Sequence, residues 1–338
     1  MRLIRLSESV IRRTCRCFSS DQTAVSSTIS VTQKQNEVFD REKERQLSLV
    51  KAIEKVHVKH LGTEDECSLM MNKYLSTPYH VAMHLGEPYC KHSGIAVVNG
   101  SLWHMLQPLQ EDSELSFVRF KDDKPFEVNK AFWRSCSHLM GAVLQKAFKE
   151  EVIVEPVRTP FIPLSAGCFA YDVNIPFKWE PTREELVILS REAYVIMKSK
   201  ANFERLEVRP DVAMEIFEDN VYKKHFVEQL QGKGLNRVTL FRLGDFIDIS
   251  RGPMMTNTDF FSPHRFVFTC VHSIDDYLRP KNKLLRFQGV ALPADFDTHH
   301  TTWDPILQRA KKPVHYDLVP FQTKDDGDAQ TDRQIEES

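Results

Sequence analysis

No stretch of the 338 residues comes near the roughly 18 consecutive apolar residues that a membrane span requires, so no spanning helix is expected. A strong excess of either charge is also missing, the formal net charge being only −2. That near-balance excludes a protein that coats nucleic acid through many phosphate contacts, since such proteins carry a clear basic surplus. The seven cysteines include no Cys-x-x-Cys pair and no disulfide-like rhythm, which argues against a zinc finger, an iron–sulfur cluster or a cross-linked secreted scaffold. No repeat of solenoid length is present.

The ends of the chain are compositionally distinct from its body. The first twenty residues hold five arginines (Arg2, Arg5, Arg12, Arg13, Arg16) against the single acid Glu8, among aliphatic and hydroxyl residues. An Arg-rich, acid-poor, amphipathic start reads as a mitochondrial targeting peptide, with a basic RNA-binding arm as the alternative. Its removal would take Cys15 and Cys17 and lower the net charge to −6. The remaining Cys67, Cys90, Cys136, Cys168 and Cys270 read as reduced thiols in a matrix-like compartment. Residues 21–54 read as a linker ending in a short helix through Phe39 to Leu47, and residues 313–338 as an acidic disordered tail.

Between 55 and 122 the pattern is that of a small mixed module. Val56 to His60 alternates like a strand. Thr77 and Pro78 supply an N-cap and a first-turn proline for a helix to Leu85. Ile95–Val98, the pair Asn99-Gly100 and Ser101–Trp103 predict a hairpin, and Leu115–Phe120 a final strand. His57, His60, His80, His84, His92 and His104 make the module His-rich; with no third ligand at a fixed short spacing, surface and packing roles are expected rather than a metal. The helix after Ser76-Thr77-Pro78 and the Val97-Val98-Asn99-Gly100 hairpin resemble the TGS domain, the ubiquitin-like β-grasp module at the front of threonyl-tRNA synthetases and some GTPases.

A second run of motifs lies within 123–312. Phe132, Cys136, Leu139, Met140, Val143 and Ala147 form one apolar stripe over Trp133–Phe148, predicting a helix whose opposite face carries Arg134 and His138. A linker is expected over Lys121–Lys130. After the helix come Gly167-Cys168-Phe169-Ala170-Tyr171-Asp172, a helix from Thr182 to Lys198, the step Tyr222-Lys223, the segment Asp248-Ile249-Ser250-Arg251-Gly252-Pro253-Met254, and Arg286-Phe287-Gln288-Gly289-Val290-Ala291. Their order is similar to that of the editing domain of threonyl-tRNA synthetase, with its His-Ser-x-x-His-Leu helix, Gly-Phe-Tyr-Tyr-Asp strand, Tyr-Lys step, Asp-x-Cys-Arg-Gly-Pro-His loop and Arg-x-x-Gly-x-Ala strand. The resemblance covers about residues 55–310 and implies an α+β chain: a β-grasp module followed by an editing-like domain.

In that family the editing pocket hydrolyses serine wrongly joined to tRNA, and the related alanyl enzymes hold zinc with a His, His, Cys, His set. The resemblance places Arg134, His138, Ser250 and Met254 at these positions. One histidine beside a permanent cation, a hydroxyl and a soft thioether cannot supply the ligands zinc needs, so neither metal nor any other cofactor is expected. Lys223 falls on the family's lysine and reads as a charged surface residue beside Lys224; Ser250 reads as a turn residue, and no catalytic group is expected. The resemblance also stops before a synthetase's catalytic core, so amino-acid activation is not expected.

A retained fold, lost site residues and a targeting-like start together resemble a family of mitochondrial large-ribosomal-subunit proteins. The resemblance implies a structural role in the mitochondrial matrix, bound to ribosomal RNA and neighbouring subunit proteins, with no small-molecule substrate. Candidate RNA contacts are Arg134, the group Arg279, Lys281, Lys283 and Arg286, and the group Arg309, Lys311 and Lys312. Two rival readings are a freestanding hydrolase of mischarged tRNA, resting on His138 and Lys223, and a regulatory TGS protein working away from ribosomes.

Overall fold

The computed structural model describes residues 25–62, 67–148 and 152–315. The targeting-like start and nearly all of the acidic tail lie outside them. Among the described residues no helix is long and apolar enough to cross a membrane. The fold is α+β, built on three sheets.

The front sheet contains β1 (Lys55–His60), β2 (Cys67–Asn72), β3 (Ser93–Val98), β4 (Ser101–Trp103) and β5 (Ser113–Arg119), in the order β2-β1-β5-β3-β4. β1 and β5 run parallel at its centre and every other pairing is antiparallel. This is the β-grasp arrangement. The alternation read over Val56–His60 is real: Val56, Val58 and His60 point inward while Lys55, His57 and Lys59 face solvent. Helices α2 (Pro78–Leu85) and α3 (Glu87–His92) cover the sheet, burying Val81 and Ala82 against Val58, Ala96 and Leu115. Thr77 caps α2, and His80 completes the cap by accepting the Thr77 N–H on Nδ1 at 3.1 Å. Strand β2 and helix α3 were not legible: Met70 is exposed on an edge strand, and α3 is six residues long with no buried member.

The body is organised on α4 (Phe126–Ala147), which begins earlier than the stripe alone suggests, since Val128 and Ala131 already belong to the core. The expected linker is therefore shorter by a turn. A four-stranded sheet, β11-β12-β7-β6, is formed by β6 (Glu155–Arg158), β7 (Phe169–Asn174), β11 (Phe261–Asp275) and β12 (Lys283–Pro293). Helix α5 (Arg183–Lys198), opened by a Thr182/Glu185 capping box, packs on it with α4. A three-stranded sheet, β10-β9-β8, comes from β8 (Glu204–Val208), β9 (Val238–Leu243) and β10 (Phe246–Ile249) and carries α6 (Pro210–Ile216) and α7 (Val221–Gly232). Helix α8 (His300–Ala310) closes the chain against the outer side of β12 through Trp303 and Ala310.

Two expectations about the flanks are corrected. In place of a linker with a short helix, α1 runs from Val25 to Ser48 and lies on the three-stranded sheet. Among its described side chains Val38 and Phe39 enter the core there, and ion pairs flank them, with Lys43 on Glu204, Arg41 on Glu215, Lys34 on Glu218, and Arg242 held by Asp40 and Glu204. At the other end Val314, expected to open a disordered tail, is tied down. Its N–H donates to buried Gln288 at 2.6 Å and its carbonyl accepts from Arg286 at 3.3 Å.

Candidate functional site

The editing-like positions converge where α4 crosses the β10 end of the three-stranded sheet. Helix α4 does not have the solvent-facing polar side its sequence suggested. Ser135, Ser137, His138, Gly141 and Ala142 are buried along with the apolar stripe, because the four-stranded sheet covers one flank of the helix and β9–β10 the other. Gly141 is what allows the second approach: a Cβ there would stand 2.6 Å from the Phe246 ring and 3.0 Å from Tyr171.

His138 is 2% exposed, with its ring edge-on to Phe246 at 4.8 Å and near Phe203 at 5.8 Å. Its Nε2 is buried with no hydrogen-bond partner among the described residues. Burial pushes its pKa down to about 4, the nearby Lys223 ammonium acting the same way and the Asp248 carboxylate against both. His138 is thus a neutral imidazole at neutral pH.

Lys223 corrects the surface reading. It lies in the first turn of α7 and is 3% exposed, its ammonium ion-paired with Asp248 and 3.4 Å from the Tyr171 hydroxyl. Tyr171 donates its own hydroxyl to the second oxygen of Asp248, and burial together with that charge drives the phenol's pKa well upward. Asp248 further accepts the Ile249 N–H at 2.6 Å. A closed triad results in which each polar group is held by the others. Asp248 and Tyr171 both fall inside the quoted motifs, and the sequence signal for Asp248 is a carboxylate between Ile247 and Ile249 in a strand whose other residues are apolar.

The remaining positions are filled by packing. Arg134 lays its guanidinium over Gly252, where a Cβ would come within 2.6 Å, and its Nη1 approaches the Pro253 carbonyl at 3.5 Å. Ser250 spends its hydroxyl on the Gly252 carbonyl at 3.1 Å, a turn contact. Met254 is buried in the main core, and the next residue, Met255, anchors the loop by donating its N–H to Ser135 Oγ at 2.8 Å. Among the described residues no group of three or more His, Cys, Asp or Glu side chains could hold a metal ion. Nor does the donor set here fit one, with a guanidinium and a buried thioether where ligands would stand.

The basic clusters divide. Arg286 is corrected as a surface candidate: it is 2% exposed and grips Asp172 with Nε at 2.7 Å and Nη2 at 3.0 Å. Lys281 is exposed, Lys283 is exposed but paired with Asp275, and Arg279 is half-buried, 3.5 Å from Glu155. At the end of α8, Arg309, Lys311 and Lys312 are all exposed, the Arg309 guanidinium lying over Gly167.

The front module is fixed to this site from the other side. His104, just beyond β4, is fully buried, its Nε2 3.3 Å from the Met255 carbonyl and its ring edge-on to Phe241. Burial lowers its pKa to about 3.

No family model matches the chain. It is 39% identical to the large ribosomal subunit protein mL39 of Drosophila melanogaster over 282 residues, 83% of this chain and 84% of that protein. The chain belongs to the mL39 family. The threonine–tRNA ligase of Thermotoga maritima is 34% identical over 182 residues, 54% of this chain but only 26% of the ligase. The human cytoplasmic threonine–tRNA ligase 2 is 30% identical over 183 residues, again 54% of this chain and 21% of that enzyme. The mL39-family chain thus shares with the ligases a segment that is about a quarter of their length, and with the Drosophila mL39 protein most of both chains.

Proposed function

We propose that this protein is a structural component of the large subunit of the mitochondrial ribosome, working in the matrix on a synthetase-derived scaffold that no longer catalyses hydrolysis. The observation that carries the reading is the 39% identity spread over more than four-fifths of both this chain and an mL39 protein. The interior supports the loss of catalysis. A general base works best with a pKa near the operating pH, and His138 is shifted to about 4 with its Nε2 buried and without a hydrogen-bond partner among the described residues. Lys223 is committed to Asp248 and Tyr171, and Arg134 covers the loop on which a substrate would have to lie. The contacts that remain for RNA are local: Arg279, Lys281, Lys283, Arg309, Lys311 and Lys312 at the surface, with ribosomal proteins completing the attachment.

Gradient sedimentation of mitochondrial lysate tests the role. The protein is expected to travel with large subunits at high magnesium; confinement to the top of the gradient would sink the proposal. A deacylation assay with seryl-tRNA tests the lost activity. No turnover above buffer is expected, whereas hydrolysis that disappears in His138→Ala would establish the hydrolase reading instead.

A further inference from the structure

The strongest unassigned feature lies behind the β7 strand, on the side away from Lys223. There the loop joining β11 to β12 meets the N-terminal turns of α7 and the edge strand β6. The loop is held by Asp276, which accepts the N–H groups of Leu278 and Arg279 at 2.9 and 3.1 Å and the Tyr222 hydroxyl at 2.7 Å. Rings and guanidinium groups alternate across this corner. Arg158 stands over Tyr277 at 4.7 Å, Arg279 over Tyr222 at 5.3 Å, the two tyrosine rings are 6.0 Å apart, and His225 follows Tyr277 at 6.5 Å.

Asp172 is shared by two cations, the fork of buried Arg286 and the Nε of Arg158 at 3.0 Å, while buried Asp276 and half-buried Glu155 supply the other acids of the corner. The side chain of Arg158 is 21% exposed, and only its Nε is spent on Asp172, leaving the outer nitrogens of the guanidinium turned away from that contact. Arg279 keeps 38% of its side chain exposed with a long 3.5 Å contact to Glu155, and Lys281 extends from the same loop. A ring-and-guanidinium surface with partly exposed cations is suited to unpaired nucleotides, whose bases stack on aromatic and guanidinium planes while phosphates take the forks.

We propose that this corner, formed by Arg158, His225, Tyr277, Arg279 and Lys281, binds a single-stranded segment of RNA, stacking at least one base on Tyr277 or His225 and a phosphate on Arg158 and Arg279. The proposal rests on the ribosomal reading for the source of the RNA, though not for the chemistry of the surface.

The full chain is titrated with a fluorescent single-stranded RNA dodecamer of mixed sequence at several salt concentrations. Arg158→Gln with Arg279→Gln removes two phosphate contacts and is expected to reduce the slope of log affinity against log salt by about 1.4. His225→Ala, half-buried and outside any core, is expected to weaken binding about tenfold at one salt concentration while leaving that slope unchanged. Unchanged binding in both variants, or no binding by the parent chain, overturns the proposal. Ultraviolet crosslinking of intact large subunits supplies the second reading: a nucleotide adduct on Tyr277 or His225 supports it, and a crosslink there to a protein neighbour overturns it. Sedimentation of the double variant separates the two claims. Weak RNA binding with retained subunit association leaves the ribosomal role standing, and a parent chain that binds RNA through this corner yet never sediments with subunits removes that role alone.

Discussion

Removing the Lys223 ammonium while leaving Asp248 in place strands a carboxylate in the core, and breaking one partner of a buried pair costs about 3–5 kcal/mol. Lys223→Met is therefore expected to lower chemical stability by that order in urea melts. Lys223→Met combined with Asp248→Leu should recover part of the loss, because the stranded charge is gone and two neutral donors, the Tyr171 hydroxyl and the Ile249 N–H, are then left without this acceptor. Equal melts for parent and Lys223→Met would mean the pair contributes nothing. The histidines set a separate pH dependence. Burial holds the folded-state pKa of His138 near 4 and that of His104 near 3, both below the ordinary 6.5, so below pH 6.5 the unfolded chain binds more protons than the folded one. Their contribution is constant above about pH 6.5 and is lost as pH falls from there toward 4 for His138 and toward 3 for His104. His138→Phe keeps the ring contacts to Phe246 and Phe203 and should flatten the decline in denaturation midpoint between pH 6.5 and 4.

Helix α4 shows how far sequence reasoning reaches at the level of one element. Its apolar stripe was legible from the spacing of Cys136, Leu139, Met140 and Val143, and these residues are buried. Its second buried face was not, because serine, histidine and glycine are ordinary residues of a solvated surface, and only the arrival of β10 makes them interior. The same limit explains Lys223, whose burial depends on an aspartate twenty-five residues further along the chain. Only the C-terminal part of helix α1, through Phe39 to Leu47, was legible, for the opposite reason: its described anchors are the apolar Val38 and Phe39 and a row of ion pairs that look like loop composition. Gly141→Ala measures the close approach directly. Helix propensity alone would favour alanine by about 1 kcal/mol, yet the added methyl meets two buried rings, and overpacking costs typically about 1–3 kcal/mol. Net destabilisation in urea is expected; a stabilised variant would show that Phe246 and Tyr171 can give way.

At the scale of the whole molecule, the β-grasp module and the body share more than a tether. His104 reaches the Met255 carbonyl, and Gly94 in β3 admits Val128 and Met255 so closely that a Cβ would stand 2.5 Å from Val128. The two parts should unfold together. In calorimetry the parent is expected to melt in one transition, with His104→Ala separating an earlier transition for the front sheet; a variant that still melts as one unit would mean the joint lies elsewhere. The TGS and editing resemblance gave the order of these parts from motifs alone, whereas the joint itself rests on a histidine that looked like one of several in a His-rich stretch.

The guanidinium of Arg134 lying on Gly252 also bears on how such a protein could change in future. Placing histidine at 134 alone removes the cover from a bare glycine, and placing histidine at 254 alone puts an imidazole into an apolar core. Each single change is penalised before any ligand set is complete. Packing thus penalises each step toward that ligand set, which leaves the surface of this chain freer to vary than its interior.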